Sequence, residues 1–351
     1  MSIFISIISY KDAELVKTIK NLLHNAENPS ELHFGIVSQH FPTKHPDLSF
    51  VKNLSYNKMT FTEAKGAGYA RKIAMEMYDG QDYFLQLDSH MRFAKHWDTK
   101  MIDMHNQAKK IAKTDKVILS QFPAPYEVHT GGKDYYPVGD KDYWSDPSWT
   151  SVVNTWSGVW AGHRMPMEDK TKPHKSYTIL AAYLFAPGYI TQEIPYDERI
   201  CFMGEELCFA IRAYTRGWEI YAPHEVLTWH FYQRKSHIKV WNQREDSARK
   251  IKWRDLEALS ERTQKNILLG RETGIYGIGD RKRYEQYQQM IGIDFHKFYG
   301  EEIDKKINDA LLVQEITFGE EDVKQSNYCL TSRHENCDVD KCECNCHKEN
   351  K

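Results

Sequence analysis

Apolar residues follow two rhythms through the first two-thirds of the chain. Residues 3–9 form a continuous apolar run that ends at Tyr10-Lys11-Asp12. Leu15, Val16, Ile19, Leu22 and Leu23 then recur at helical spacing, with Asp12 placed to cap the helix. A second apolar run, 32–37, follows the turn Glu27-Asn28-Pro29-Ser30. Strand, helix and strand in this order open a parallel sheet. Ala67, Ala70, Ile73, Ala74 and Met77 mark the inner face of another helix, closing at Asp79-Gly80, and residues 83–87 read as a buried strand stopping at Asp88-Ser89-His90. Residues 117–122 give a further strand. The alternation predicts a doubly wound α/β domain.

From 126 to 175 the rhythm is lost. Asp, Gly, Pro, Ser, Tyr and Trp dominate, with Trp144, Trp149, Trp156 and Trp160 among them. An aromatic-rich loop of this length is either a binding loop or lid, or an ordinary surface insertion. Strand pattern returns at 178–186, and Leu207, Cys208, Ile211 and Tyr214 share one face of a helix over 205–214. Short strands follow at 218–221 and 226–231. Beyond Arg234 the text is charged and helical to about Lys306, and no internal repeat is visible. The expected division is a catalytic domain over 1–235, a helical extension over 236–325 and a Cys/His-rich tail over 326–351.

Composition narrows the partners. The 351 residues are 41% hydrophobic and 13% aromatic, ample for a packed core. Lys+Arg 47 against Asp+Glu 49 gives no electrostatic case for nucleic acid or an anionic membrane. The N-terminus is apolar for only eight residues without a basic leader, and no run approaches the ~20 residues that span a bilayer. A cytoplasmic location is expected. Seven cysteines are unevenly placed: Cys201 and Cys208 lie in the body, and five crowd the last 23 residues. Cys329, His334, Cys337, Cys342, Cys344, Cys346 and His347 offer seven potential ligands in 19 positions. Structural zinc needs four, so the tail reads as a zinc staple or as an unstructured thiol-rich end.

The sharpest local signal is Gln86-Leu87-Asp88-Ser89-His90 at the carboxyl end of a predicted strand, where open α/β sheets bind ligands. Residues two apart in an extended segment point the same way, so Asp88 and His90 can meet at one ion. A carboxylate with an imidazole suits Mn²⁺ (or Mg²⁺), and a site short of protein ligands is completed by a diphosphate. By itself, Asp-x-His is equally a turn with a capping Asp.

Longer stretches carry a resemblance. Gly66-Ala67-Gly68-Tyr69-Ala70-Arg71, with Asp79-Gly80-Gln81-Asp82-Tyr83-Phe84-Leu85-Gln86-Leu87-Asp88-Ser89-His90-Met91-Arg92-Phe93, resembles the core motif of the cytoplasmic polypeptide (hydroxyproline) N-acetylglucosaminyltransferases. Ile5-Ser6-Ile7-Ile8-Ser9-Tyr10-Lys11-Asp12 looks like that family's first strand. Gly277-Ile278-Gly279-Asp280-Arg281, Tyr287 and Gly292-Ile293-Asp294 look like its C-terminal signature, so the likeness covers roughly residues 2–297. More distantly, Asp88-Ser89-His90, Gly204-Glu205-Glu206 and Thr228-Trp229-His230-Phe231 are similar to motifs of the mucin-type polypeptide N-acetylgalactosaminyltransferases.

The resemblance implies a GT-A fold, a Rossmann-like mixed sheet flanked by helices. It implies Mn²⁺ held by Asp88, His90 and His230, and retaining transfer of GlcNAc from UDP-GlcNAc to a hydroxyl of a protein or peptide. Ser9, Tyr10, Asp12, Arg71, Gln86 and Ser89 are the expected nucleotide-binding residues, although Asp12 also reads as a helix cap and Arg71 as a surface ion pair. Asp88, Glu205 and Glu206 are the expected catalytic carboxylates, Glu205 facing the sugar. The two glutamates equally suit the positive end of a helix. Trp156, Trp160 and Trp229 are candidates for stacking on sugar or acceptor, or for core packing. The rival readings are a GT-A transferase with another UDP-sugar or a glycan acceptor, and a non-catalytic module that binds sugar nucleotides.

Overall fold

The structure is a computed structural model, and it describes residues 1–128, 134–135, 146–154, 160–233 and 237–299. The zinc-staple expectation, from Cys329 to His347, lies outside the described residues, as do Trp144, Trp156 and the side chain of Trp160.

Apolar side chains on both faces make the first strand central. Along Ile3–Tyr10, Ile3, Ile5 and Ile7 point to one side of the sheet and Phe4 to the other, all buried. It pairs in parallel with Leu32–His40 on one flank and Tyr83–Asp88 on the other. The eight strands run in the order His174–Lys175, Glu219–Ala222, Val117–Leu119, Tyr183–Pro187, Tyr83–Asp88, Ile3–Tyr10, Leu32–His40, Leu54–Thr60. Tyr183–Pro187 lies antiparallel to Tyr83–Asp88, so the sheet is mixed.

Helices cover both faces. Leu15, Ile19 and Leu22 of the Leu15–Asn25 helix, with Trp97, Met101, Met104 and Ala108 of the Trp97–Ala112 helix, pack on Ile5, Ile7, Leu85 and Leu87. Across the sheet, Phe4, Phe84 and Leu184 meet Met75, Phe209, Ala210 and Trp218. Buried apolar surface of this extent is the main stabilising contribution, at about 25 cal/mol per Å².

Several expectations change. The 178–186 run is a strand only over Tyr183–Pro187. The described part of 126–175 is not structureless, because Ser148–Asn154 and Trp160–Pro166 pair as an antiparallel ribbon. Trp149 on that ribbon stacks on His174 with ring centroids 5.3 Å apart. Two elements escaped the sequence pattern. Leu54–Thr60 is an edge strand in which only Met59 is buried, so it shows no apolar alternation. The Trp97–Ala112 helix buries Trp, Met, Asp and His positions, which blur its apolar stripe. The first helix starts at Leu15 with Glu14 at its cap position, and Asp12 instead accepts the Glu14 N–H at 3.0 Å.

The described part of the extension is helical over Gln243–Ser247, Trp253–Leu268, Arg281–Ile291 and Phe295–Tyr299. Ile267, Leu268, Tyr284, Tyr287 and Phe295 form one apolar cluster with Leu207, Cys208 and Ile211 of the Glu205–Thr215 helix. Among the described residues no helix is long and apolar enough to cross a membrane.

His105 couples this core to pH. It is fully buried, packed edge-on against the Tyr83 and Phe185 rings, with Nε2 3.0 Å from the Val117 carbonyl. Burial pushes its pKa down to about 4, against the small upward effect of that hydrogen bond. Because the folded pKa is depressed, the unfolded chain binds the proton first. Stability is full above about pH 6.5, the ordinary histidine value, and falls as pH drops toward 4, with a slope of at most about 1.4 kcal/mol per pH unit. Urea midpoints should fall across that window for the wild type and less steeply for His105→Gln; parallel profiles would contradict this role.

Candidate active site

A strand end, a turn and a short pairing bring three ligand-type side chains together. Asp88 is the last residue of Tyr83–Asp88, and the chain turns through Ser89 and His90 into the strand Met91–Phe93. Thr18 of the first helix straps this turn, donating to the Ser89 carbonyl at 2.8 Å and accepting the Met91 N–H at 2.9 Å. Met91–Phe93 pairs antiparallel with Thr228–His230, placing His230 opposite Met91. Phe231 N–H donates to the His90 carbonyl at 3.1 Å. His230 Nε2 thus lies 3.1 Å from Asp88 Oδ2 across 142 positions of sequence.

The donor set fits a divalent cation. One ligand atom each from Asp88, His90 and His230 lie within 4.8 Å of one another, and His90 Nε2 stands 3.7 Å from Asp88 Oδ2. Neighbouring ligands of one ion bound at about 2.1 Å sit about 3 Å apart. A carboxylate with two imidazoles suits Mn²⁺ and related ions.

Asp12 stands behind this set. Its Oδ2 lies 2.9 Å from His90 Nδ1 and accepts the Ser89 hydroxyl at 2.8 Å. An imidazole that turns Nε2 toward a metal carries its proton on Nδ1, and a carboxylate there fixes both tautomer and ring orientation.

Charge is balanced around Asp88. Arg71, buried on the Ala67–Met75 helix, donates to Asp88 Oδ1 at 3.1 Å and to the Ala181 carbonyl at 2.9 Å. It is not the surface ion pair of the alternative reading. Burial pushes the Asp88 carboxyl up, but the hydrogen bond with His230 and the charges of His90, Arg71 and His230 outweigh it and hold Asp88 far below the usual range. Glu205 and Glu206 go the other way. Burial, offset by Arg71 and reinforced by neighbouring carboxylates, pushes Glu205 up to about 8 and Glu206 up to about 7.

Close backbone approach assembles that wall. Gly66 precedes the Ala67–Met75 helix at φ +106°, and a Cβ there would stand 2.2 Å from the Cys201 carbonyl oxygen. At Gly68 it would meet the Ile200 carbonyl at 2.2 Å. Only glycine lets the 197–201 backbone lie against this helix and lead through Gly204 into Glu205–Thr215. Glu206 leaves its own helix end to accept the Ala181 N–H at 2.8 Å. Glu205 Oε2 has no hydrogen-bond partner among the described residues, its nearest cation being Arg71 Nε at 3.7 Å.

These residues line a cleft of about 410 Å³. Of the residues expected from sequence it brings together Tyr10, Asp12, Arg71, Asp88, Ser89, His90, Glu205, Glu206 and His230. Ser9 is buried but not among its lining residues, and Gln86 donates instead to the Ala181 carbonyl and the Tyr196 hydroxyl, both at 2.8 Å. Trp229 alternates with His230 along the same strand and does not line the cleft. Sequence reasoning missed Phe202, Met203, Tyr232, Lys239 and Trp241, which form much of the mouth. Phe202 and Met203 directly precede the Gly-Glu-Glu motif and Tyr232 follows His230 by two positions, so proximity to the motifs was the available signal.

A mixed sheet flanked by helices, with ligand-type residues converging at the carboxyl end of a central strand, is the architecture of a GT-A glycosyltransferase. The crystal structure of GalNAc-T7 with UDP, GalNAc and Mn²⁺ is similar at a TM-score of 0.52 and 14% identity, covering 88% of this chain and 57% of that one. The chain thus spans little more than half the length of that relative. The structure of S. aureus TarS aligns at a TM-score of 0.47 and 12% identity, over 90% of this chain and 46% of that one. No curated protein sequence matches the chain. The sequence profile of the glycosyltransferase (GlcNAc) family matches residues 2–54 and 42–297, and the chain belongs to that family.

Removing the carboxylate behind His90 should loosen the ion without dismantling its ligands. Asp12→Ala is expected to weaken Mn²⁺ binding about 10- to 100-fold, read by titration calorimetry. Wild-type affinity would rule out this supporting role.

Proposed function

We propose that this protein transfers GlcNAc from UDP-GlcNAc to a hydroxyl of a protein acceptor, hydroxyproline or Ser/Thr, with retention at the anomeric carbon. The observation that carries the reading is the convergence of Asp88, His90 and His230 in the cleft that also holds Arg71 and Glu205. The GlcNAc family match and the likeness to hydroxyproline-modifying enzymes support the donor and acceptor. Residues 1–235 are the proposed catalytic domain, and Lys239, Val240 and Trp241 of the following segment contribute to its cleft. Buried free thiols at Cys201 and Cys208 support a reducing, cytoplasmic setting.

Asp88, His90 and His230 would hold a divalent cation such as Mn²⁺, which when bound would supply positive charge to the diphosphate leaving group. The chain's own residues do the rest. Arg71 fixes the Asp88 carboxylate and adds a cation at the same end of the cleft. Glu205 Oε2, buried and without a hydrogen bond among the described residues, is placed to accept from a sugar or acceptor hydroxyl. Tyr10 and Ser89 line the cleft on the side proposed for the nucleotide.

A panel of UDP-sugars with Mn²⁺, scored for UDP release with and without hydroxyprolyl and seryl peptides, tests the assignment. UDP-GlcNAc is expected to turn over fastest; turnover only with another nucleotide sugar would reassign the donor. Asp88→Ala should lower kcat at least ~10³-fold with every donor, and Glu205→Ala about 10²-fold. Near-wild-type rates in Asp88→Ala would exclude the proposed site.

A further inference from the structure

The first strand ends in a strained, buried lysine. Lys11 has φ +48°, in the left-handed region that side chains other than glycine rarely occupy. Its ammonium lies over the Phe61 ring at 3.5 Å and the Phe41 ring at 4.1 Å from the centroids. It also pairs with the Glu245 carboxylate, and both side chains are over nine-tenths buried. Glu245 accepts the Tyr10 hydroxyl too, at 2.9 Å.

This carboxylate joins two walls of the cleft. Tyr10 lines the cleft from the first strand, whereas Lys239, Val240 and Trp241 line it from the segment just before the Gln243–Ser247 helix that carries Glu245. The segment and helix are tied together by hydrogen bonds. Asn242 caps the helix by accepting the Arg244 N–H at 3.0 Å, and Arg249 donates both to the Val240 carbonyl and to Asp246. The Trp241 ring packs at a tilt against Phe202, with centroids 4.9 Å apart, and against Trp253 at 5.6 Å. Neither Lys11 nor Glu245 is among the cleft's lining residues. Desolvation offsets much of the attraction in a buried ion pair, so such a pair contributes geometry more than stability. The geometry fixed here is the spacing between Tyr10 and the 239–241 wall.

We propose that Glu245 is a positioning residue for the donor nucleotide, holding Tyr10 and the 239–241 segment at the separation that grips it. This rests on reading the cleft as a UDP-sugar site. Removing the carboxylate leaves the metal ligands in place and lets the two walls drift, so donor binding suffers more than the chemical step.

The test measures UDP affinity with Mn²⁺ by calorimetry, donor KM and kcat, and the thermal midpoint. Glu245→Leu is expected to weaken UDP and raise donor KM about tenfold, with kcat falling less than about threefold. Glu245→Gln keeps an acceptor for Tyr10 and should recover most of the affinity. Lys11→Met with Glu245→Leu removes both buried charges; it should regain the thermal midpoint lost by Glu245→Leu alone, but not the affinity. Affinity that returns together with the midpoint would reduce the clasp to a structural one and overturn the proposal, as would wild-type UDP affinity in Glu245→Leu. A wild-type protein that binds no UDP would overturn the donor-site reading itself, and this inference with it.

Discussion

A carboxylate and two imidazoles held within 4.8 Å of one another constrain nearly everything around them. Such donors do not cluster without cause, because desolvating them is costly unless charge and hydrogen bonds compensate. The compensation is visible on every side. Asp12 faces His90, Arg71 faces Asp88, and the short pairing of Met91–Phe93 with Thr228–His230 fixes the distance between the two imidazoles. The central strand only delivers Asp88 to the site. Two further segments must close over that strand end before the three side chains meet.

The acidic balance follows from the same constraint. Asp88, Glu205 and Glu206 gather around one buried guanidinium, which cannot neutralise three carboxylates at once. Asp88 takes the direct hydrogen bond and stays ionised; Glu205 and Glu206 are pushed toward their neutral forms. Added positive charge therefore has a natural place there, and a bound cation would pull the glutamates back toward ionisation.

How much of this was legible in the sequence depended on the range of the interaction. The Asp88–His90 pair could be read because the two residues are only two positions apart, although the chain bends at Ser89 and His90 and does not stay extended. The convergence of His230 came only through the resemblance, since it rests on strands of three residues, too short to show a period. The Trp97–Ala112 helix was hidden for another reason: it is bounded by His96 and Lys113 in left-handed conformation, where glycine would have signalled an end. Asp12 was weighed as a cap or a nucleotide contact. It is neither a formal cap nor only a wall residue, since its carboxylate reaches Ser89 and His90, 77 and 78 positions away. A list of motif residues does not reveal which of them support the others.

The division of labour within the cleft has a physical consequence. The end that holds Asp88, His90 and His230 is built on the central strand and strapped by Thr18, while the mouth is built from Phe202, Met203, Tyr232 and Trp241 on turns and short segments. The mouth is held by contacts of its own, such as the tilted packing of Phe202 against Trp241. Substitutions at Phe202 or Trp241 can therefore change what enters without moving Asp88, His90 or His230. Under the proposed function, chemistry and selectivity rest on different packing layers, linked through a few contacts such as those of Tyr10.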